Sequence, residues 1–311
     1  MSAFVGATKA AAAQARSVIS PTPCHAVSMK RRIALVWRRP PPLTVIVHSR
    51  VVIVTGSARG IGRAVALRLA RDGYDVCVND IAANEAGSHG VADEIRRLGR
   101  RSVVATADVR SLGEVQGMVK KAVDELGPLN TMIANAGIAQ VKPLLEITED
   151  EFENMFRVNV FGVQHCYQAA AKQMIKQGNC TPDRPGKIIG CSSIVGFKPF
   201  ALLSHYSASK WAVRGLTQAS AMEYAEHNIT VNAYAPGIVG TAMWDLIDEK
   251  LGEKTGAKKG DTIKKYTSEL IAQKRTSVPE DVAKLVSFLA GPDSDHVTGQ
   301  TQIVDGGIIY T

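Results

Sequence analysis

The chain has 311 residues, 45% of them hydrophobic, and a formal net charge of +8. That is ample material for a sizeable core, yet no run approaches the ~18 consecutive apolar residues of a membrane span. Eight of the 37 basic residues lie in the first 50 positions, which contain no Asp or Glu, leaving 29 basic against 29 acidic residues in the rest. The folded part is therefore electrically balanced, and nothing in it points to nucleic acid.

Residues 1–49 read as a basic, acid-free extension that ends near Pro40, Pro41 and Pro42. A transit peptide, a disordered tail or an early start codon all fit this composition. A cytoplasmic location is expected, with a mitochondrial address as the alternative. The five cysteines show no CxxC spacing and read as reduced thiols, and no metal site is expected.

From residue 50 the pattern alternates strand and helix. Strands are predicted at Val51–Thr55, Tyr74–Asn79, Ser102–Ala107, Thr131–Ala134, Lys187–Cys191, Ile229–Ala235 and Thr301–Val304. Helices are predicted at Gly60–Arg71, Asn84–Leu98, Val115–Leu126, Phe152–Gln177, Ser207–Glu226 and Asp281–Leu289. Ile238–Leu246 reads as a lid carrying Met243 and Trp244, and Lys250–Lys265 as its charged, flexible outer surface. Continuous apolar strands in such alternation imply an α/β fold, a single doubly wound parallel sheet of Rossmann type with helices on both faces. Residues 50–311 are read as one domain. Ligands in such sheets bind beyond the C-terminal strand ends, and the motifs fall there.

The first motif follows the first strand: Gly56, Ser57, Arg59, Gly60, Ile61 and Gly62 form a glycine-rich turn that opens a helix. Glycines let backbone amides approach a pyrophosphate, and the helix N-terminus stabilises its charge. Asp80 ends the second strand, placed to accept from an adenosine ribose and to repel the extra phosphate of NADP. Arg59 argues the other way; the Asp80 carboxylate is expected to prevail, giving NAD.

The second constellation is Ser193, Tyr206 and Lys210. Tyr206 and Lys210 are four apart in a helical stretch and share a face. A lysine ammonium beside a phenol favours the phenolate and lowers its pKa from about 10 toward working pH. The phenol then serves as a general acid and base. Ser193, at the end of the preceding strand, is placed to hold a substrate oxygen.

In this order, with Asp108-Val109, Asn135-Ala136-Gly137, Asn159, Pro236-Gly237, Thr241 and Asp305-Gly306-Gly307, the chain resembles the short-chain dehydrogenase/reductase family from about Val51 to its end. The resemblance implies that Asp108 and Val109 meet the adenine and that Asn135 steadies the sheet beside the cofactor. Asn159 would hold a proton-relaying water next to Lys210, which would also bind the nicotinamide ribose. Ala136, Gly137, Pro236, Gly237, Ile238 and Thr241 would complete the cofactor site, with Ile238 and Thr241 fixing the carboxamide. It also implies a homodimer or homotetramer, for which Ala201–Leu203 and Ile308–Tyr310 offer apolar contact segments. Within the family, Arg214–Gln218, Pro236–Trp244 and Ser287–Gln300 are similar to acetoin (diacetyl) reductases and butane-2,3-diol dehydrogenases. Those act on small carbonyl and alcohol substrates. Ile194 departs from the Gln that often follows the serine in that group. A polyol dehydrogenase, a 3-oxoacyl-carrier-protein reductase and, outside enzymology, a nucleotide-sensing scaffold are the alternatives.

Overall fold

The computed structural model describes residues 50–311; the predicted extension lies outside the described residues. Seven parallel strands form one sheet in the order β3-β2-β1-β4-β5-β6-β7. They are β1 (Arg50–Val54), β2 (Tyr74–Asp80), β3 (Ser102–Thr106), β4 (Leu129–Ala134), β5 (Gly186–Cys191), β6 (Ile229–Pro236) and β7 (Thr301–Val304). The order in which successive strands are added reverses between β1 and β4, so a crevice opens there at the C-terminal ends.

The period-two alternation of β1 and β2 divides the core. Val52, Val54, Val76 and Val78 face one side, where α1 (Gly60–Arg71), α2 (Glu85–Arg97) and α9 (Pro279–Ala290) cover them with Val65, Ile95 and Val286. Val51, Ile53 and Cys77 face the other, under α3 (Leu112–Leu126), α5 (Gly162–Gln177) and α6 (Ser204–Tyr224). All seven side chains are fully buried, which is why these strands read as continuous apolar runs.

Four departures from the sequence reading matter. The predicted helix Phe152–Gln177 is α4 (Glu149–Phe156), a π-helical turn at Arg157–Phe161, then α5. The capping box of Thr148 and Glu151 starts it early, and the wide turn carries Asn159. The predicted helix at Ser207 begins three residues sooner, at Ser204. Leu202 just before it is left-handed (φ 66°) and breaks the chain direction there. Tyr206 thus sits inside the first helical turn, as its pairing with Lys210 requires.

The lid is two helices, α7 (Ala242–Thr255) and α8 (Asp261–Glu269), where a flexible charged segment is predicted. The buried Asp248 carboxylate accepts from the Gly260 and Ile263 amides and so anchors α8 on α7. The apolar segments proposed as subunit contacts turn partly inward: Leu203 is buried, and Ile308 and Ile309 pack beside Tyr206.

Candidate active site

The turn after β1 is built on contacts only glycine permits. A Cβ at Gly62 would lie 2.2 Å from the Gly56 carbonyl oxygen, and Gly56 itself has φ 63°. Asn135 braces the same turn. Its Nδ2 donates to the Thr55 and Gly56 carbonyls (2.8 and 3.1 Å), while its Oδ1 accepts from the Tyr234 hydroxyl (2.8 Å) on β6. Ala136 N donates to Thr55 Oγ1. Asn135 therefore ties the glycine turn to β6 in the sheet.

The N-terminus of α1 has no side-chain cap and no acidic residue in its first turn. Its orphan amides and the positive end of its dipole suit an anion, so this chain's own residues fit a dinucleotide pyrophosphate. Thr241 closes the same space from the far side: a Cβ on Gly60 would come within 3.7 Å of its Cγ2. Gly237 lets β6 pass Asp305, whose Cβ an added methyl would approach to 2.6 Å. Ile238 is buried in the same bend, its carbonyl accepting from Ser277 N.

Asp80 stands beside this turn. Its Oδ2 accepts from Ala58 N (3.1 Å) and its Oδ1 from Ile81 N and Asn84 Nδ2 (2.9 and 2.8 Å), so the carboxylate is held in place. Arg59 is exposed. Ser57 departs from its expected part. Its hydroxyl donates to the Val54 carbonyl (2.7 Å) and its amide to Asn79 O (2.8 Å), so it shapes the turn and has no donor left for a ligand. At the end of β3 the Asp108 carboxylate is engaged by Arg110, whose hydrogen bonds hold it below the usual carboxylate range. Val109 is buried against Gly162, and its carbonyl lies 2.8 Å from His165 Nδ1.

Asn159, Ser193, Tyr206 and Lys210 converge at the ends of β4 and β5, all at least nine-tenths buried. Asn159 Oδ1 accepts from Ile138 N and its Nδ2 donates to Ile138 O, each at 2.9 Å. Nδ2 also donates to Ser209 Oγ (3.1 Å), which donates to the Tyr206 carbonyl (2.7 Å). A Cβ on Gly137 would sit 3.2 Å from Asn159 Oδ1 and 3.5 Å from Lys210 Nζ, so the glycine keeps room between them. Lys210 Nζ donates to Cys191 O (2.9 Å) and lies 5.6 Å from the Tyr206 ring centre.

The electrostatics correct one expectation. In the chain by itself, burial pushes the Tyr206 phenol up and the Lys210 ammonium down. A hydrogen bond with Ser193 works in favour of the phenolate but is the smaller effect.

The sequence reading missed three supports. Arg214 Nη1 donates to the Gly196 carbonyl (2.7 Å) behind the Ser193 turn, with its guanidinium 3.8 Å from the Phe197 ring centre. Glu151 accepts from Lys142, Thr148 N and Gln140, which depress its carboxyl to about 2. His205 is bonded to Gln140. Only Glu151 had a signal, the Thr-x-x-Glu capping box. Open concavities of about 500 and 440 Å³ lie beside α4 and between α2 and α3, away from Tyr206.

The sequence profile of the short chain dehydrogenases matches residues 50–252. The chain belongs to the short-chain dehydrogenase/reductase family. It is 45% identical to L-2,3-butanediol dehydrogenase of Corynebacterium glutamicum, over 84% of this chain and 99% of the relative. It is 44% identical to the (S)-acetoin-forming diacetyl reductase of Staphylococcus epidermidis, with the same coverage. Among solved structures it resembles acetoin dehydrogenase from Salmonella typhimurium, with a TM-score of 0.71 and 32% identity over 84% of this chain and 96% of that one. Membership makes this chain an oxidoreductase that uses a nicotinamide cofactor.

Proposed function

We propose that the chain interconverts a small vicinal diketone or hydroxyketone with its alcohol, using NAD(H), with acetoin, diacetyl and butane-2,3-diol as the substrate class. The observation that carries this is the wall around Tyr206. Met155, Ile194, Val195 and Leu203 form a buried apolar cluster with it, and Phe200 and Ile303 pack against that cluster. Such a wall accepts a small neutral carbonyl and offers no partner for a charged group. The names borne by the relatives agree with that class.

In this reading Ser193 holds the carbonyl oxygen, Tyr206 donates its proton to it, and Asn159 and Lys210 supply the proton path through the space beside Gly137. A bound nicotinamide supplies the hydride and, when oxidised, a positive ring charge that joins Lys210 in favouring the phenolate. Initial rates on diacetyl, acetoin and acetoacetyl-coenzyme A, with NADH and NADPH, test it. The best rate is expected with NADH on diacetyl or acetoin; fastest reduction of the thioester with NADPH would overturn it.

Asp80 is the basis for NAD over NADP. Its carboxylate is fixed by three donors next to the turn, whereas Arg59 points to solvent. Charge repulsion of this kind is worth tenfold or more per ~1.4 kcal/mol. NADH is expected to be preferred by about 10- to 100-fold in kcat/KM, and Asp80→Ser to shrink that ratio. An unchanged ratio in Asp80→Ser would remove Asp80 from the account.

A homodimer or homotetramer is also proposed. Phe152, Phe161 and Trp211 are 39%, 52% and 46% exposed on α4, the π turn and α6. Exposed aromatics of this kind suit a subunit contact better than the inward-turned Leu203. Light scattering at micromolar concentration is expected to give at least twice the chain mass; a monomer mass contradicts it.

A further inference from the structure

Next to Tyr206 stands a group of side chains that the proposed chemistry does not use. His205 is fully buried, and its Nε2 lies 2.8 Å from Gln140 Oε1. Gln140 Nε2 donates to Glu151 Oε1 (2.8 Å), and an ionised carboxylate only accepts. The amide orientation is thereby fixed, nitrogen toward Glu151 and oxygen toward His205. His205 must carry its proton on Nε2. Its Nδ1 is then a bare acceptor, buried and without a partner among the described residues.

The backbone repeats the link. Lys142 N donates to the Leu202 carbonyl (2.8 Å), and the Lys142 ammonium grips both Glu151 oxygens at 2.8 Å. Leu202 pays for this with a left-handed conformation that a leucine rarely adopts. The arm from Ile138 to Lys142 is thus two-sided. Ala139 and Val141 pack on the apolar cluster around Tyr206, while Gln140 and Lys142 reach Glu151. A strained leucine and an unpartnered buried imidazole nitrogen are both unfavourable for stability. Such costs persist where a position matters more than the energy.

We propose that His205 and Gln140 are positioning residues whose hydrogen bond, anchored on Glu151, holds the 138–142 arm against the first turn of α6 and sets the width of the substrate pocket at Tyr206. The inference rests on the reading of Tyr206 as proton donor. Loosening the arm would weaken the grip on the carbonyl substrate, while the glycine turn keeps its own bracing through Asn135, Thr55 and Tyr234.

The test uses Gln140→Leu, His205→Phe and His205→Gln in the full chain, with Tyr206→Phe alongside. Rates are measured with NADH and the panel ketone that the wild-type chain reduces fastest; NADH affinity is measured by fluorescence titration. Gln140→Leu is expected to raise KM about 10-fold, lower kcat by less than about 3-fold and leave the NADH Kd unchanged. His205→Phe should behave alike. His205→Gln, which returns an N–H near the Nε2 position, should bring KM back to within about 2-fold of wild type. If His205→Phe fails to fold, Gln140→Leu, altered at the less buried partner, decides alone. A KM unchanged in Gln140→Leu, or a parallel loss of NADH affinity, overturns the positioning role. If Tyr206→Phe keeps near-full activity, the reading of Tyr206 and this inference both fall; if it is inactive while KM stays unchanged in Gln140→Leu, only this inference does.

Discussion

Tyr206→Phe is expected to lower kcat by about 10²- to 10⁴-fold, the usual worth of a positioned general acid, while NADH affinity stays within about 2-fold. The substitution removes one hydroxyl. The ring remains in the apolar cluster of Met155, Ile194, Val195 and Leu203, so folding and the pocket wall are kept. Nothing else among the described residues is placed to take over the proton. Ser193 is a weak acid whose Oγ accepts from Val195 N, and Lys210 is engaged with the Cys191 carbonyl. Lys210→Met should do more damage, because Lys210 both favours the phenolate and belongs to the expected ribose contact. Its residual alcohol oxidation should also need higher pH. The cation favours the charged phenolate, so losing it raises the Tyr206 pKa, and burial already pushes in that direction. Steady-state rates across pH and an NADH titration check both variants. Near-wild-type turnover of Tyr206→Phe on the best ketone would sink the proton-donor assignment.

The second large effect is expected from Gly62→Ala. The added methyl would lie 2.2 Å from the Gly56 carbonyl oxygen and 2.6 Å from Asn135 Nδ2. Neither neighbour can yield. Gly56 already lies close against Ala136, since a Cβ built on it would come within 2.9 Å of Ala136 Cα, and Asn135 is held by Thr55, Gly56 and Tyr234. The start of α1 must therefore lift away from the β1 turn, and the amides that would receive the pyrophosphate move with it. Overpacking of this kind costs about 1–3 kcal/mol and lowers Tm by a few degrees. The NADH Kd should rise on the order of 100-fold, since the misplaced amides are those proposed to receive the pyrophosphate. Gly117→Ala is the control: an added Cβ on that α3 glycine meets nothing within 4 Å, so stability should hold or rise slightly. A Gly62→Ala chain that binds NADH as tightly as wild type would refute the cradle.

The sequence by itself determined the strand and helix alternation, because strands such as Val51–Val54 are buried on both faces and must be apolar throughout. It also marked Gly56, Gly62, Asp80, Ser193, Tyr206 and Lys210, because each is a local signal: a turn only glycine can make, a charge at a strand end, a phenol and an amine one helical turn apart. Tertiary structure decided the rest. Ser57 looks like part of a ligand turn but is spent on Val54 and Asn79, since a buried hydroxyl takes the nearest acceptor the fold presents. The charged stretch after Lys250 becomes helical because Asp248, twelve residues before Gly260, supplies the missing cap. Burial pushes the Tyr206 phenol up, against the expected direction, because burial is a property of the whole fold and no spacing reveals it. His205 and Gln140 are 65 positions apart. Their bond exists only because the loop after β4 and the N-terminus of α6 meet beside Tyr206, a juxtaposition made by sheet order and carried by no local pattern.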